Sequence, residues 1–141
     1  MRWLRAIVNK CDTVVSLDEI VLILPEDTLA LRQLAVEACQ ACVTAWRAAA
    51  KGSETDFRKN QALSLGRLTV RLSNVGRYEE ALLAARDSIA LQRTLVDQDH
   101  DSHAPNLAVF LVNIAKYLSL TGHRDAALKA SLEGTQLFRT L

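Results

Sequence analysis

The stretch Ala62–Leu95, ALSLGRLTVRLSNVGRYEEALLAARDSIALQRTL, reappears 46 residues later as Ala108–Leu141, AVFLVNIAKYLSLTGHRDAALKASLEGTQLFRTL. No gap is needed. The identities are Ala62/Ala108, Leu65/Leu111, Leu72/Leu118, Ser73/Ser119, Gly76/Gly122, Ala81/Ala127, Leu82/Leu128, Ala84/Ala130, Leu91/Leu137, Arg93/Arg139, Thr94/Thr140 and Leu95/Leu141. A weaker third copy lies one period earlier, where Ala35, Ala38 and Arg47 fall under Ala81, Ala84 and Arg93. A fixed period of this kind marks stacked units, none of which can bury its apolar face alone.

Each copy reads as two helices. Leu65, Leu68, Leu72 and Val75 recur at i, i+3, i+7 and i+10, and Leu111, Ile114 and Leu118 repeat the pattern. That spacing is helical, not the alternation of a strand. Gly76 and Gly122 are predicted to end these first helices, because glycine enters the left-handed cap conformation at little cost. The second helices start near Glu79 and Asp125, acids that suit a helix N-terminus. They are rich in alanine (Ala81, Ala84, Ala85, Ala126, Ala127, Ala130), which allows close approach to the antiparallel partner. Lys51–Asp56 and Val96–Pro105 read as polar links, with Pro105-Asn106 suited to a helix start.

These residues resemble tetratricopeptide repeats. Leu65, Leu68 and Thr69, and again Leu111, Ile114 and Ala115, fill the family's large, Leu and small positions. Gly76 with Ala81, and Gly122 with Ala127, match its turn glycine and following alanine. The string Arg77-Tyr-Glu-Glu-Ala-Leu82 is the most family-like. Two features depart from the pattern: the period exceeds the usual 34, and Arg93 or Arg139 stands where a closing proline is common. The long period and the Asp99-His100-Asp101 link look like the kinesin-light-chain-like tandem form. The resemblance implies an all-α, right-handed helical-hairpin solenoid of about six helices, with the array over 28–141 and an atypical capping segment over 1–27. Within that segment Ser16-Leu-Asp-Glu19 reads as a capping box. A short helix Leu17–Leu24 is then interrupted at Pro25, ahead of a long helix Asp27–Ala50; a strand over Val14–Leu24 is the rival reading.

Composition agrees with close-packed helices. Hydrophobic residues make up 50%, aromatics only 5%, and there are five Gly and two Pro. The net charge of +1 comes without any like-charge block, which argues against a nucleic-acid partner. No run approaches the roughly 20 apolar residues of a membrane span. The odd set Cys11, Cys39 and Cys42 points to a reducing, cytoplasmic setting.

Candidate chemistry is sparse. Cys39-Gln-Ala-Cys42 matches a redox or zinc half-site. In the repeat, however, Cys39 aligns with Ala85 and Ser131, and Cys42 with Ser88 and Gly134, which are small packing positions. Asp97, Asp99, Asp101 and His103 begin like a calcium loop but lack its glycine at Ser102 and its glutamate at Ala108. With His100 they suggest either a transition-metal site or a solvated loop. No G-x-S-x-G, P-loop or G-x-G-x-x-G occurs, and His100, His103 and His123 all fall in predicted links or turns. The expectation is therefore a non-enzymatic chain with no cofactor and no metal. Trp46, with Phe138 aligned to it, is expected to pack between repeats or to serve as a partner anchor.

The family resemblance implies a protein or peptide ligand on the concave face lined by first helices. Mapped here, that face comprises Leu63, Gly66, Arg67, Val70, Ser73, Asn74, Val109, Asn113, Lys116 and Ser119. It lacks the dense basic set that clamps a C-terminal carboxylate. The alternative is structural: Leu128, Leu132 and Leu137 would lack a covering repeat. The chain would then self-associate as a homo-oligomer through its last helix, or form a segment of a longer array in a signalling protein. A metal- or redox-regulated adaptor is a third possibility.

Overall fold

The period becomes geometry in the helix boundaries. A computed structural model describes residues 31–48 and 54–140, and every described element is helical. The helices are α1 (Arg32–Ala48), α2 (Glu54–Asn74), α3 (Tyr78–Val96), α4 (His100–Leu120) and α5 (Arg124–Thr140). The starts of α1, α3 and α5 fall at 32, 78 and 124, and those of α2 and α4 at 54 and 100, each one 46-residue step apart. The expected segment 1–27, with its capping box, short helix and rival strand, lies outside the described residues. Of the expected long helix Asp27–Ala50, the described part is Arg32–Ala48.

The two turn glycines work as expected. Gly76 has φ +79° and Gly122 φ +84°. The Arg77 N–H donates back to Leu72 O at 3.0 Å and the Gly76 N–H to Ser73 O at 3.0 Å. One repeat later His123 N–H reaches Leu118 O at 2.8 Å and Gly122 N–H reaches Ser119 O at 3.2 Å. Both first helices thus close with the same pair of backbone bonds across a left-handed glycine.

The second link is shorter than the sequence suggested. Asp99, with extended backbone, accepts from Ser102 N–H at 3.2 Å and caps α4, which starts at His100. Pro105 therefore sits inside α4, not at its start. A side-chain cap six residues upstream outweighs the proline signal, because the carbonyl that Pro105 leaves unbonded, that of Asp101, lies in the exposed first turn. By the same shift, α2 already begins at Glu54 within the other predicted link.

Each helix packs chiefly on its neighbours in sequence. α1, α3 and α5 form one layer and α2 and α4 the other. α3 is apolar on two sides: Ala81 and Ala84 join Leu34, Cys39, Leu65 and Leu72 in one core cluster, while Leu82, Ala85 and Ile89 join Leu107, Leu111, Ile114 and Ala127 in the next. Small residues set the spacing within each hairpin. The buried Ser88 hydroxyl donates to Ala62 O at 2.8 Å. At the equivalent position Gly134 lies so near α4 that a Cβ would stand 3.1 Å from Ala108 O. The alignment of Ser88 with Gly134, and of Ala62 with Ala108, is thus one helix contact built twice.

Candidate functional site

The ten residues expected to line a concave face divide by helix. Leu63, Arg67, Val70 and Asn74 form a half-buried stripe on α2. Their counterparts Val109, Asn113, Lys116 and Leu120 form the same stripe on α4, where Val109 and Leu120 are 48% and 54% exposed. Ser119 beside them is exposed as well. Gly66 and Ser73 are engaged between the helices. The Phe110 ring of α4 lies where a Gly66 Cβ would be, so glycine lets α4 seat its ring against the α2 backbone. Ser73 hydrogen-bonds Tyr117, whose phenol is raised above its usual pKa by burial and partly lowered again by that bond. Val112, 42% exposed, and Leu120 extend the α4 surface. Neither belongs to the face expected from the sequence, although the 46-residue shift from Gly66 and Asn74 leads to both.

The motifs with chemical potential resolve into packing and capping. Cys39 and Cys42 are buried thiols, and Cys42 Sγ lies 3.5 Å from Ser64 Oγ. Asp99 is a helix cap. Its carboxyl is held below the usual range by the Ser102 hydroxyl, then by the Ser102 N–H; the charges of His103 and His100 act in the same direction. His103 is buried. Among the described residues no cluster of three His, Cys, Asp or Glu is arranged to hold a metal. Trp46 packs edge-on against Phe57, with centroids 6.0 Å apart, at the junction of α1 and α2. One period later those two positions are Gln92 and His103. Gln92 is fully buried with neither amide atom hydrogen-bonded, and His103 Nδ1 is likewise without a partner.

Two grooves repeat with the sequence. One, of about 410 Å³, lies between α1 and α3 over a floor of Leu65, Leu68 and Leu72. The other, of about 300 Å³, lies between α3 and α5 over Leu111, Ile114 and Leu118. Every lining residue of the first maps onto a lining residue of the second by adding 46. An ion pair spans each groove: Arg47–Asp87 at 3.2 Å and Arg93–Glu133 at 2.7 Å, again related by 46. Beyond Arg93–Glu133 the second trough continues into a cavity of about 510 Å³ lined by Val96, His100, Leu107 and Leu137. Sequence periodicity located the floors, but not the troughs above them between successive second helices, where the floor side chains stay 2–8% exposed.

No protein-family model, curated protein or solved structure matches this chain. Among the described residues no helix is long and apolar enough to cross a membrane.

Proposed function

We propose that this chain is a non-enzymatic scaffold that binds a protein or peptide partner along its first-helix layer, in the manner of a tetratricopeptide array. The observation that carries the reading is the α4 stripe. Val109, Val112 and Leu120 stand 42–54% exposed around Lys116, an apolar surface on a helix whose opposite side is already buried. Exposed apolar area of this kind, flanked by polar residues, marks interaction surfaces. Arg67, Asn113 and Ser119 supply polar contacts at its edge, and repeat scaffolds present such faces to extended ligands.

A second reading rests on α5. Leu82 is 3% exposed, but its counterpart Leu128 is 62% exposed; Gln92 is fully buried, but Phe138 is 48% exposed. The α5 face thus repeats the surface that α3 buries, which favours assembly there, as a homo-oligomer or within a longer array.

Affinity co-purification followed by mass spectrometry, with wild type beside Lys116→Glu/Leu120→Glu and Leu128→Glu, separates the readings. A partner lost only from the first variant supports the first-helix layer. Equal capture by all three removes both faces. Concentration-dependent light scattering that Leu128→Glu abolishes assigns the assembly to α5.

A further inference from the structure

We infer that the groove between α3 and α5 is a second docking site, for a segment of a partner protein that carries apolar residues beside acidic ones. It lies on the opposite side of α4 from the Val109–Leu120 stripe. At 100° per residue, Leu107, Leu111, Ile114 and Leu118 point about half a turn away from Val109, Asn113, Lys116 and Leu120.

The internal repeat supplies the comparison that identifies the ligand. The α1–α3 and α3–α5 grooves share equivalent apolar floors and equivalent bridging ion pairs, so their ligand preference is decided by their lips. Around the first groove stand Arg47, Glu80 and Asp87, a net negative set. Arg47 pairs with Asp87, and Glu80 takes two bonds of 2.6 Å from Arg77. Around the second, Gln40 has become Arg86, Glu80 has become Ala126 and Leu83 has become Lys129. Arg93 is engaged with Glu133, which leaves Arg86 on α3 and Lys129 on α5 exposed and, among the described residues, without an ion pair. In a chain of net charge +1, two unpaired cations across one apolar trough are a local concentration of positive potential.

The dimensions suit a peptide. The α4 floor from Leu107 to Leu118 runs for about 16 Å at 1.5 Å per residue, enough for roughly five residues of extended chain. The cavities of about 300 and 510 Å³ on either side of the Arg93–Glu133 bridge fall in the range of ligand pockets; Asp97 lines the larger one, so the ligand's acids belong at the Arg86–Lys129 end. Apolar side chains would rest in the trough against the exposed Ala90 and Ala126, above the buried floor, and carboxylates would meet Arg86 and Lys129, two charge-assisted contacts that the first groove does not offer.

The test is a random peptide-display selection on the intact purified chain, with binding of recovered clones measured by fluorescence anisotropy. Clones that combine Asp or Glu with Leu, Ile, Val or Phe are expected. They should lose about tenfold or more in affinity for Arg86→Glu/Lys129→Glu, yet bind Lys116→Glu/Leu120→Glu unchanged. Both substituted positions are exposed, and circular dichroism checks that the variant folds. Replacing the acids of a clone by lysines should restore binding to the Glu variant. The inference is overturned if no clones are enriched, if they carry no acidic bias, or if Arg86→Glu/Lys129→Glu leaves binding unchanged. It is also overturned if light scattering shows self-association that this variant abolishes, which would make the groove a contact between copies. Loss confined to the α4-stripe variant would support the first-helix layer and not this groove.

Discussion

Gln92→Met should make this protein more stable, although it changes a fully buried residue. Gln92 is 0% exposed, and neither its Oε1 nor its Nε2 has a hydrogen-bond partner. A buried polar group without a partner costs roughly 1–3 kcal/mol, because the bonds it made to water in the unfolded chain are not replaced. Methionine keeps the unbranched length, has about the same helix propensity as glutamine and adapts to irregular space. Volume-conserving swaps cost less than about 1.5 kcal/mol. The balance is a gain of about 1–2 kcal/mol, or roughly 3–8 °C in Tm for a chain of this size. Urea unfolding with an unchanged slope is the assay. Gln136→Met, at an exposed position of α5, is the control and should move stability by no more than about 0.5 kcal/mol. The repeat supports the sign, since the equivalent positions are Trp46 and Phe138. If Gln92→Met is neutral or destabilising while the control behaves, the amide is satisfied in solution, by a buried water for instance, and the reasoning fails.

Two further outcomes concern the turns and caps. Gly76→Ala and Gly122→Ala should each cost about 1–2 kcal/mol. A Cβ at either site meets no atom within 4 Å, so the loss reports the left-handed backbone alone. Asn at the same positions should cost less than Ala, and the double alanine variant should sum the singles in urea unfolding. Asp99 titrates below its ordinary value in the fold, so its contribution is complete above the usual aspartate range. That contribution is lost as pH falls through the lowered folded value. Asp99→Asn should therefore flatten the acid limb of the stability–pH curve and leave its alkaline side unchanged; an acid limb of unaltered slope would remove Asp99 from the account.

Much of this fold was legible because its signals are local or periodic. Gly76 and Gly122 announce helix ends through backbone sterics, which need no tertiary information. The Leu65-Leu68-Leu72 and Leu111-Ile114-Leu118 stripes announce buried faces through spacing alone, and both are in the core. The 46-residue shift also moved Cys39 and Cys42 from redox chemistry to small-residue packing, and both are buried there. Pro105 was misleading, because a proline marks a helix start only when no stronger cap lies upstream, and Asp99 is that cap. Gly66 reads as a surface position in the sequence, since nothing in one helix tells which side chain of another will cover it; Phe110 does.

The sequence by itself determined that the chain folds as repeated helical hairpins, that α2 and α4 end before Gly76 and Gly122, and which stripe of each is buried. Helix geometry converts residue spacing into faces without reference to any neighbour. Only the tertiary structure decided that a trough opens above each buried floor, between successive second helices. It also decided that Arg47 meets Asp87 and Arg93 meets Glu133, that Arg86 and Lys129 line one groove without an ion pair among the described residues, and that Gln92 is buried without a partner. Those outcomes depend on distances between helices some 40 residues apart in sequence, which spacing within one helix does not encode.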